Sequence, residues 1–357
     1  MSTTPAISVI MSVYNGEQYL REAVESIINQ TFTSWELIVI NDCSTDSTAE
    51  ILKELSDKDE RVKVHTNEVN LRLPSSLNKA LSLCTGKYIA RMDADDICLC
   101  DRFEKQYKFM EENSDVMLSS CRFLTLKNGV YSSGGGGSRV DNEALRAMLL
   151  VTNPILHPGV IAKAEVIKGL CYDPTCTCTE DLNLWTRFAN SDLKMQILDE
   201  YLLIYRLHDK QITSTTLERQ SGEVLRIHEE YFAKHIAPMG EMAQYYIDGI
   251  YFKRVWDAEK FCGFFKWVKS ENKKTKAFGK KELEYAFFEV LAEHRRHGIS
   301  KKDLIKVLMN FSPMFLVKEI TRRKKCAYND GALCIEAAAR TGLKKSSGTD
   351  LFPIFSK

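Results

Sequence analysis

Tyr88-Ile89-Ala90-Arg91-Met92-Asp93-Ala94-Asp95-Asp96 reads as a buried strand that stops in three carboxylates within four positions. Carboxylates this close repel one another, and clustering them is costly unless a cation sits among them. Asp-X-Asp at a strand end is a hard-oxygen donor set of the kind that Mg²⁺ or Mn²⁺ takes. A second reading is open at this point: a solvated acidic loop between a strand and a helix, without chemistry.

Working outward, the first half of the chain alternates strands and helices. Ile7 to Tyr14 is an apolar, β-rich run broken by Asn15-Gly16. Glu17 to Asn29 follows with helical spacing, Leu20, Val24, Ile27 and Ile28 on one side. Trp35 to Ile40 is a second buried strand, stopped by Asn41-Asp42-Cys43-Ser44-Thr45-Asp46, in which Thr45 or Asp46 caps the next helix. A short strand over 62–65, a helix over 75–83, the strand over 87–92, a helix over 101–112 and a strand over 116–121 complete the series. Short apolar strands alternating with amphipathic helices predict βαβ units and a largely parallel sheet. Ligands of such sheets sit beyond the carboxyl ends of the strands. Tyr14-Asn15, Asn41-Asp42 and Asp93 to Asp96 all fall there, so three polar clusters converge on one crevice.

The same segments resemble the inverting family 2 glycosyltransferases of the GT-A type. The resemblance is carried by Ser8 to Asn15, Glu36 to Asp46, Leu77-Asn78-Lys79-Ala80, Gly86 to Asp96, Asp101-Arg102 and Glu180-Asp181-Leu182-Asn183-Leu184-Trp185. It spans about residues 6–210, with the motifs in the family's order and spacing. It implies a GT-A, nucleotide-diphospho-sugar transferase fold, a mostly parallel sheet flanked by helices, with a C-terminal helical extension. The expected division is a catalytic domain over 1–215, a basic, aromatic-rich helical region over 216–330 and a flexible tail over 331–357.

The resemblance also implies roles. Tyr14, Asn15 and Glu17 would lie against the nucleotide, and Asp42 would accept the uracil imide N–H. Asp93 would lie near the ribose or sugar and share the Mn²⁺ or Mg²⁺ cation with Asp95. Arg91 has two readings, a partner for phosphate or a structural ion pair within the acidic cluster. Asp181 would be the base that removes the acceptor hydroxyl's proton, with Glu180 orienting the acceptor or the adjacent loop. Both acids also suit the first turn of the helix carrying Leu184, Trp185 and Phe188, and the two roles are compatible. Trp185 is expected in the core. His208, after the strand ending at Arg206, would be a further metal ligand or a pyrophosphate contact; His157, in Asn153-Pro154-Ile155-Leu156-His157-Pro158-Gly159, a wall of the acceptor or sugar site. Ordinary hydrogen-bonded histidines are the other reading for both.

The rear of the chain differs in charge. Overall the 357 residues carry a formal charge of only +1, yet residues 253–325 hold twenty lysines and arginines against nine acids. Tyr245, Tyr246, Tyr251, Phe252, Trp256, Phe261, Phe264, Phe265 and Trp267 interleave with Lys253, Arg254, Lys260, Lys266 and Lys269. Either the aromatics pack inward beneath solvated lysines, or aromatic and basic side chains face the headgroups of an anionic inner-leaflet surface, with Arg322 to Lys325 adding charge.

Several classes are disfavoured. Hydrophobic residues make up 44% and charged residues 27%, which argues against global disorder. No run of about 18 apolar residues occurs, so no transmembrane helix and no processive synthase is expected. Met1 to Pro5 lacks a basic or apolar leader, and eleven irregularly spaced cysteines fit packing thiols of a cytoplasmic chain better than zinc or disulfides; the expected location is cytoplasmic, with a peripheral place at the inner membrane as the variant. Ser132 to Ser138 reads in sequence as a glycine-rich, mobile loop, without the Gly-Lys-Ser/Thr ending of a phosphate loop. The N-terminal loop lacks the Gly-rich, basic pattern of a nucleotidyltransferase, and no nucleic-acid module accompanies the basic region. The expected function is metal-dependent, inverting transfer of a hexose from a UDP-sugar to a glycan hydroxyl. The expected acceptor is a lipid-pyrophosphate-linked intermediate of bacterial O-antigen (lipopolysaccharide) or capsule assembly. The alternative is an inactive nucleotide-sugar-binding or scaffold protein of the same fold.

Overall fold

Apolar runs with alternating partners account for the centre of the molecule, seen in a computed structural model that describes residues 4–133, 140–208, 217–251, 256–296 and 299–322. Four parallel strands, β1 (Ile7–Val13), β2 (Trp35–Asn41), β3 (Val62–Thr66) and β4 (Tyr88–Arg91), lie in the order β3-β2-β1-β4. Helices α1 (Leu20–Ile28), α2 (Thr48–Lys58) and α3 (Arg72–Leu83) connect them. Because side chains alternate across a strand, β1 feeds two cores. Ile7, Val9, Met11 and Val13 pack with α1, α2 and α4 (Arg102–Glu112) through Leu20, Leu52 and Phe103. Ile10, with Ile38 and Ile40 of β2, faces Leu77, Ala80 and Leu81 of α3. On α1 the buried residues are Leu20, Ala23, Val24 and Ile27; Ile28, expected on this face, is only half-buried.

The sheet then changes character. Beyond β4 the order runs β8 (Ile161–Lys163), β6 (Val116–Lys127), β9 (Lys194–Arg206), β5 (Ile97–Cys98), with β7 (Val130–Ser133) paired to β6. β8 is antiparallel to both β4 and β6, whereas β6 and β9 run parallel. The sheet is therefore parallel in its first half and mixed in its second. β6 and β9 are longer than the sequence pattern suggested, because register shifts between Cys121 and Phe123 carry the pairing on to Arg206.

The second core continues without a break into the rear helices. α5 (Asn142–Met148), α6 (Ala164–Leu170) and α7 (Glu180–Asn190) lie between the sheet and α8 (Leu217–His235), α9 (Met242–Tyr246), α10 (Ala258–Thr275), α11 (Lys280–Arg296) and α12 (Lys301–Leu308). Trp185, Phe188, Tyr231, Phe232, Tyr246, Phe261, Phe264, Phe265 and Phe287 are fully buried there. These rear aromatics thus turn inward, with Phe265 stacked on Phe287 at 4.2 Å between ring centroids, whereas Tyr245 is exposed. Phe252, Lys253 and Arg254, the glycines at 134–137, Arg323 to Lys325 and the tail lie outside the described residues. No helix among the described residues is long and apolar enough to cross a membrane.

At the amino ends of the strands sits a buried acid. Glu36 accepts hydrogen bonds from Ser8 Oγ (2.6 Å) and from Thr85 N and Oγ1, and pairs with Lys63. A Cβ on Gly86 would stand 2.7 Å from Ser8 N, so only glycine fits against this cluster. Burial pushes the Glu36 carboxyl up, but Lys63, Ser8 and Thr85 more than offset it and hold it at about 2. Its contribution to stability is complete above the unfolded value of 4.5 and fades as pH falls towards about 2. Glu36→Gln is expected to lower the unfolding free energy by about 2 kcal/mol near neutrality. Urea titrations across pH check this: the gap to wild type must shrink below pH 4.5.

Candidate active site

β2, β1 and β4 deliver their carboxyl ends side by side, Asn41 opposite Val13 and Arg91 opposite Ile10. Beyond β1 the chain turns sharply: Asn15 takes φ 52° and Cys43, beyond β2, φ 63°. Gly16 follows because a Cβ there would meet Val13 Cγ2 at 2.4 Å. The two loops are joined reciprocally. Asn15 N donates to Ser44 Oγ (3.0 Å), Thr45 N to Asn15 Oδ1 (2.8 Å), Glu17 N to Asp46 Oδ2 (3.1 Å) and Ser47 N to Glu17 Oε2 (3.1 Å). The N-cap of α2 is Ser47 rather than Thr45 or Asp46, but Asp46, one position earlier, accepts from Thr48 N in the first turn. Asn15 and Glu17 therefore hold the loop pair together, while Tyr14 stands exposed at its rim.

Asp42 is buried beside them. Its Oδ1 accepts from Asn67 Nδ2 (2.7 Å) and from Leu71 N (2.8 Å). Asn67 is itself held by Ser76 Oγ and by Lys79 Nζ. This support leaves Asp42 Oδ2 without a hydrogen bond from the described residues. Nothing in the local pattern around Asn67 marked it, because its partners lie up to 25 residues away.

At the end of β4 the three carboxylates come together: one oxygen each of Asp93, Asp95 and Asp96 lie within 4.8 Å of one another. Asp96 is fully buried; its Oδ1 accepts from Arg206 N (2.9 Å), and its Oδ2 has no hydrogen-bond partner among the described residues. Burial pushes Asp96 well above the ordinary carboxylate range, and repulsion from Asp93 and Asp95 adds to it. Asp93 is raised by burial too, against the pull of Arg91, with which it forms an ion pair. Three mutually repelling oxygen donors with an orphaned buried oxygen are a set that a hard divalent cation fits. Arg91 is thus an ion-pair partner within the cluster, 3% exposed.

The antiparallel entry of β8 and the reach of β9 build the remaining walls. Arg91 N donates to Val160 O (3.0 Å), which sets the turn His157–Gly159 against the end of β4. Arg102, fully buried, locks both strands with Nη2 bonds to Arg91 O (3.0 Å) and Val160 O (3.2 Å). From the other side β9 brings His208, whose Nε2 stands 2.9 Å from Asp95 Oδ2, a spacing that suits a shared proton or a shared ion. Arg206 fixes the loop by donating Nε to Asp95 O (2.8 Å) and lies over the Tyr19 ring.

α7 supplies the opposing acids. Glu180 and Asp181 occupy its first turn, where free backbone N–H groups favour negative charge. Asp181 Oδ2 accepts from Asn153 Nδ2 (2.7 Å) and Oδ1 from Leu182 N (2.7 Å). Burial lifts the Asp181 carboxyl, and these two bonds oppose the rise. Glu180 is pushed to about 8 by burial and by Asp181 beside it. Asp181 feels Arg91, and Asp93 feels Asp181, so both acidic clusters share one electrostatic field. Glu223 of α8 steadies the loop before α7, accepting from Thr179 Oγ1 (2.8 Å), Cys178 N and Thr177 Oγ1. His157 is buried, its Nε2 2.8 Å from Tyr172 Oη and its Nδ1 3.7 Å from Glu180 Oε1; burial holds it neutral. Tyr172 in turn exchanges two 2.8 Å bonds with the Asn78 carboxamide. Asn67, Tyr172 and Glu223 escaped the reading of the sequence; Asn153 lay in a quoted turn but without a role. Trp185 is core.

A fold of parallel strands ending in clustered acids, closed by a mixed half, is the GT-A architecture. The S. aureus protein TarS, residues 1–349 with UDP-GlcNAc, superposes with a TM-score of 0.56 at 19% identity, covering 82% of this chain and 90% of that one. A Pyrobaculum calidifontis mannosyltransferase with GDP-Man and Mn²⁺ gives 0.50 at 17% identity, over 96% and 89%. Residues 8–162 match the profile described as glycosyl transferase family 2. An Escherichia coli O-antigen biosynthesis glycosyltransferase is 34% identical over 219 residues, 59% of this chain and 83% of the relative. This chain belongs to glycosyl transferase family 2 and is a glycosyltransferase.

Proposed function

We propose that the protein transfers a hexose, with inversion, from a UDP-sugar to a hydroxyl of a lipid-pyrophosphate-linked glycan during surface-polysaccharide assembly. The observation that carries this is the pair of facing acid sets, Asp93-Ala94-Asp95-Asp96 and Glu180-Asp181, in one field with Arg91 between them. The first set suits a diphosphate donor only together with a cation, and the second suits removal of a proton. The role of the E. coli relative in O-antigen biosynthesis and the UDP-GlcNAc bound by the S. aureus neighbour support the substrate classes.

In this reading Asp42 Oδ2 accepts the uracil imide N–H, its orientation held by Asn67 and Leu71 N. Tyr14 covers the base, and Asn15 and Glu17 keep the two nucleotide loops in register. Asp95 and Asp93, with His208 at hand, would hold Mn²⁺ or Mg²⁺, which would supply positive charge to offset the departing diphosphate. Asp181 takes the proton of the attacking acceptor hydroxyl; its raised pKa makes it a better base than an ordinary aspartate. Glu180, its carboxyl pushed up by burial and by Asp181 beside it, orients the acceptor or the adjacent loop. Asn153 and Glu223 keep both acids in place from two sides.

The test is a donor screen: UDP-glucose, UDP-galactose, UDP-GlcNAc, UDP-GalNAc and GDP-mannose against a GlcNAc-pyrophosphate-lipid acceptor, with and without EDTA. The expected outcome is one UDP-sugar consumed, an inverted anomeric product by NMR, and loss of transfer with EDTA. Exclusive use of GDP-mannose would refute the uracil assignment of Asp42. UDP binding without transfer from any donor would favour the inactive scaffold.

A further inference from the structure

We propose that α12 and the helical residues 313–322 form a docking surface for an anionic lipid bilayer. Ten large hydrophobic side chains are exposed among the described residues, and half lie between 305 and 320. Ile305 and Met309, one turn apart, are 62% and 81% exposed; Met314 and Val317, also one turn apart, are 70% and 67% exposed. These faces look away from the core because the opposite faces are anchored in it. Val307, Phe311 and Phe315 are buried, Phe311 lying 4.9 Å from Phe265 and Phe315 5.8 Å from Phe288 between ring centroids.

The charges around these faces are mainly positive: Asp303 keeps its negative charge, and the other acids there are paired with bases. Asp303 is tied to Ser300 in the cap of α12, and Glu319 is buried and paired with Arg322. Lys306 pairs with Glu259. Lys301, Lys302 and Lys318 are exposed and have no acidic partner among the described residues. Unpaired ammonium groups bordering an aliphatic face match lipid phosphate above acyl chains, and each adds attraction to an anionic leaflet. Protein interfaces favour methionine as well as aromatic anchors, but they disfavour the lysines that border this face, so a protein partner fits less well. Here the aromatics point inward, and the outward residues are Ile, Met and Val. The surface differs from the one the sequence suggested: Tyr246, Phe261, Phe264 and Phe265 pack inward, and Ile305, Met309, Met314 and Val317 face out.

The proposal deepens the lipid-linked acceptor reading and rests on it for its purpose, but its test needs no transfer. Full-length protein is sedimented with phosphatidylcholine vesicles with and without phosphatidylglycerol. Wild type is expected to pellet with the anionic vesicles and to remain largely in solution with the neutral ones. The combined Lys301→Ala, Lys302→Ala and Lys318→Ala variant is expected to bind roughly 100-fold more weakly, at about 1 kcal/mol per lysine. Met309→Asp with Met314→Asp is expected to release the protein as well, with an unchanged melting curve. Because the three lysines are exposed, their variant folds even if the methionine pair does not. Wild type that stays in solution with anionic vesicles overturns the proposal, as does full binding by the lysine variant. So does a wild-type dimer on gel filtration that the methionine variant converts to monomer, which would make the face a self-association surface. Sugar transfer without vesicle binding would reject this surface alone; vesicle binding without transfer would reject only the catalytic reading.

Discussion

Asp181→Asn is expected to leave UDP binding intact and to cut sugar transfer by roughly 10²–10⁴-fold, the range a general base supplies. The substitution is nearly isosteric. Its carboxamide oxygen still accepts from Leu182 N or Asn153, so the first turn of α7 keeps its shape. What disappears is the lone pair that takes the acceptor's proton. The pH profile gives a second reading of the same group. Burial lifts the Asp181 carboxyl, so wild-type transfer should fall as pH drops through a value above that of an ordinary aspartate. Residual transfer in Asp181→Asn should lack that limb. Near-wild-type turnover by Asp181→Asn would move the base elsewhere, with Glu180 the next carboxyl in reach.

The second large effect belongs to the donor side. Asp95→Ala is expected to abolish the response to Mn²⁺ or Mg²⁺ and to lower transfer by roughly 10³-fold, since cation stabilisation of a leaving diphosphate is worth several kcal/mol. Asp95 differs from its neighbours in what already holds them. Asp93 is committed to Arg91, and Asp96 is buried with one oxygen on Arg206 N. Asp95 faces His208 through a side-chain oxygen and uses only its backbone carbonyl on Arg206, so its loss leaves that loop anchor in place. Metal titration of turnover, with a melting curve as control, reads the result. A variant that still responds to Mn²⁺ would shift the ion to Asp93 and Asp96.

Much of this site was legible before the tertiary structure. The ends of β1, β2 and β4 show in sequence because a buried parallel strand needs an unbroken apolar run, and the residues that break it are local. Asp42, Asp93, Asp95 and Asp96 were picked out as candidates that way, and Glu180 and Asp181 through the family resemblance. The second half of the sheet was less legible. β8 is three residues long, and its antiparallel place between β4 and β6 follows from pairings more than 40 residues apart. Short strands carry too few residues for a period to show, and register there is set by packing.

The sequence by itself determined which residue types are available and where strands must end, since hydrophobic alternation, turn chemistry and charge spacing are properties of neighbours along the chain. Only the tertiary structure decided which acids share a field, because that depends on β8 and β9 carrying His157 and His208 to the end of β4. It also decided that Asn67, Tyr172 and Glu223 support the site, each through a partner no local pattern names. In the rear helices it decided the side: large aromatics gain most by leaving water, so they filled the interior, and the smaller aliphatics flanked by unpaired lysines were left at the surface.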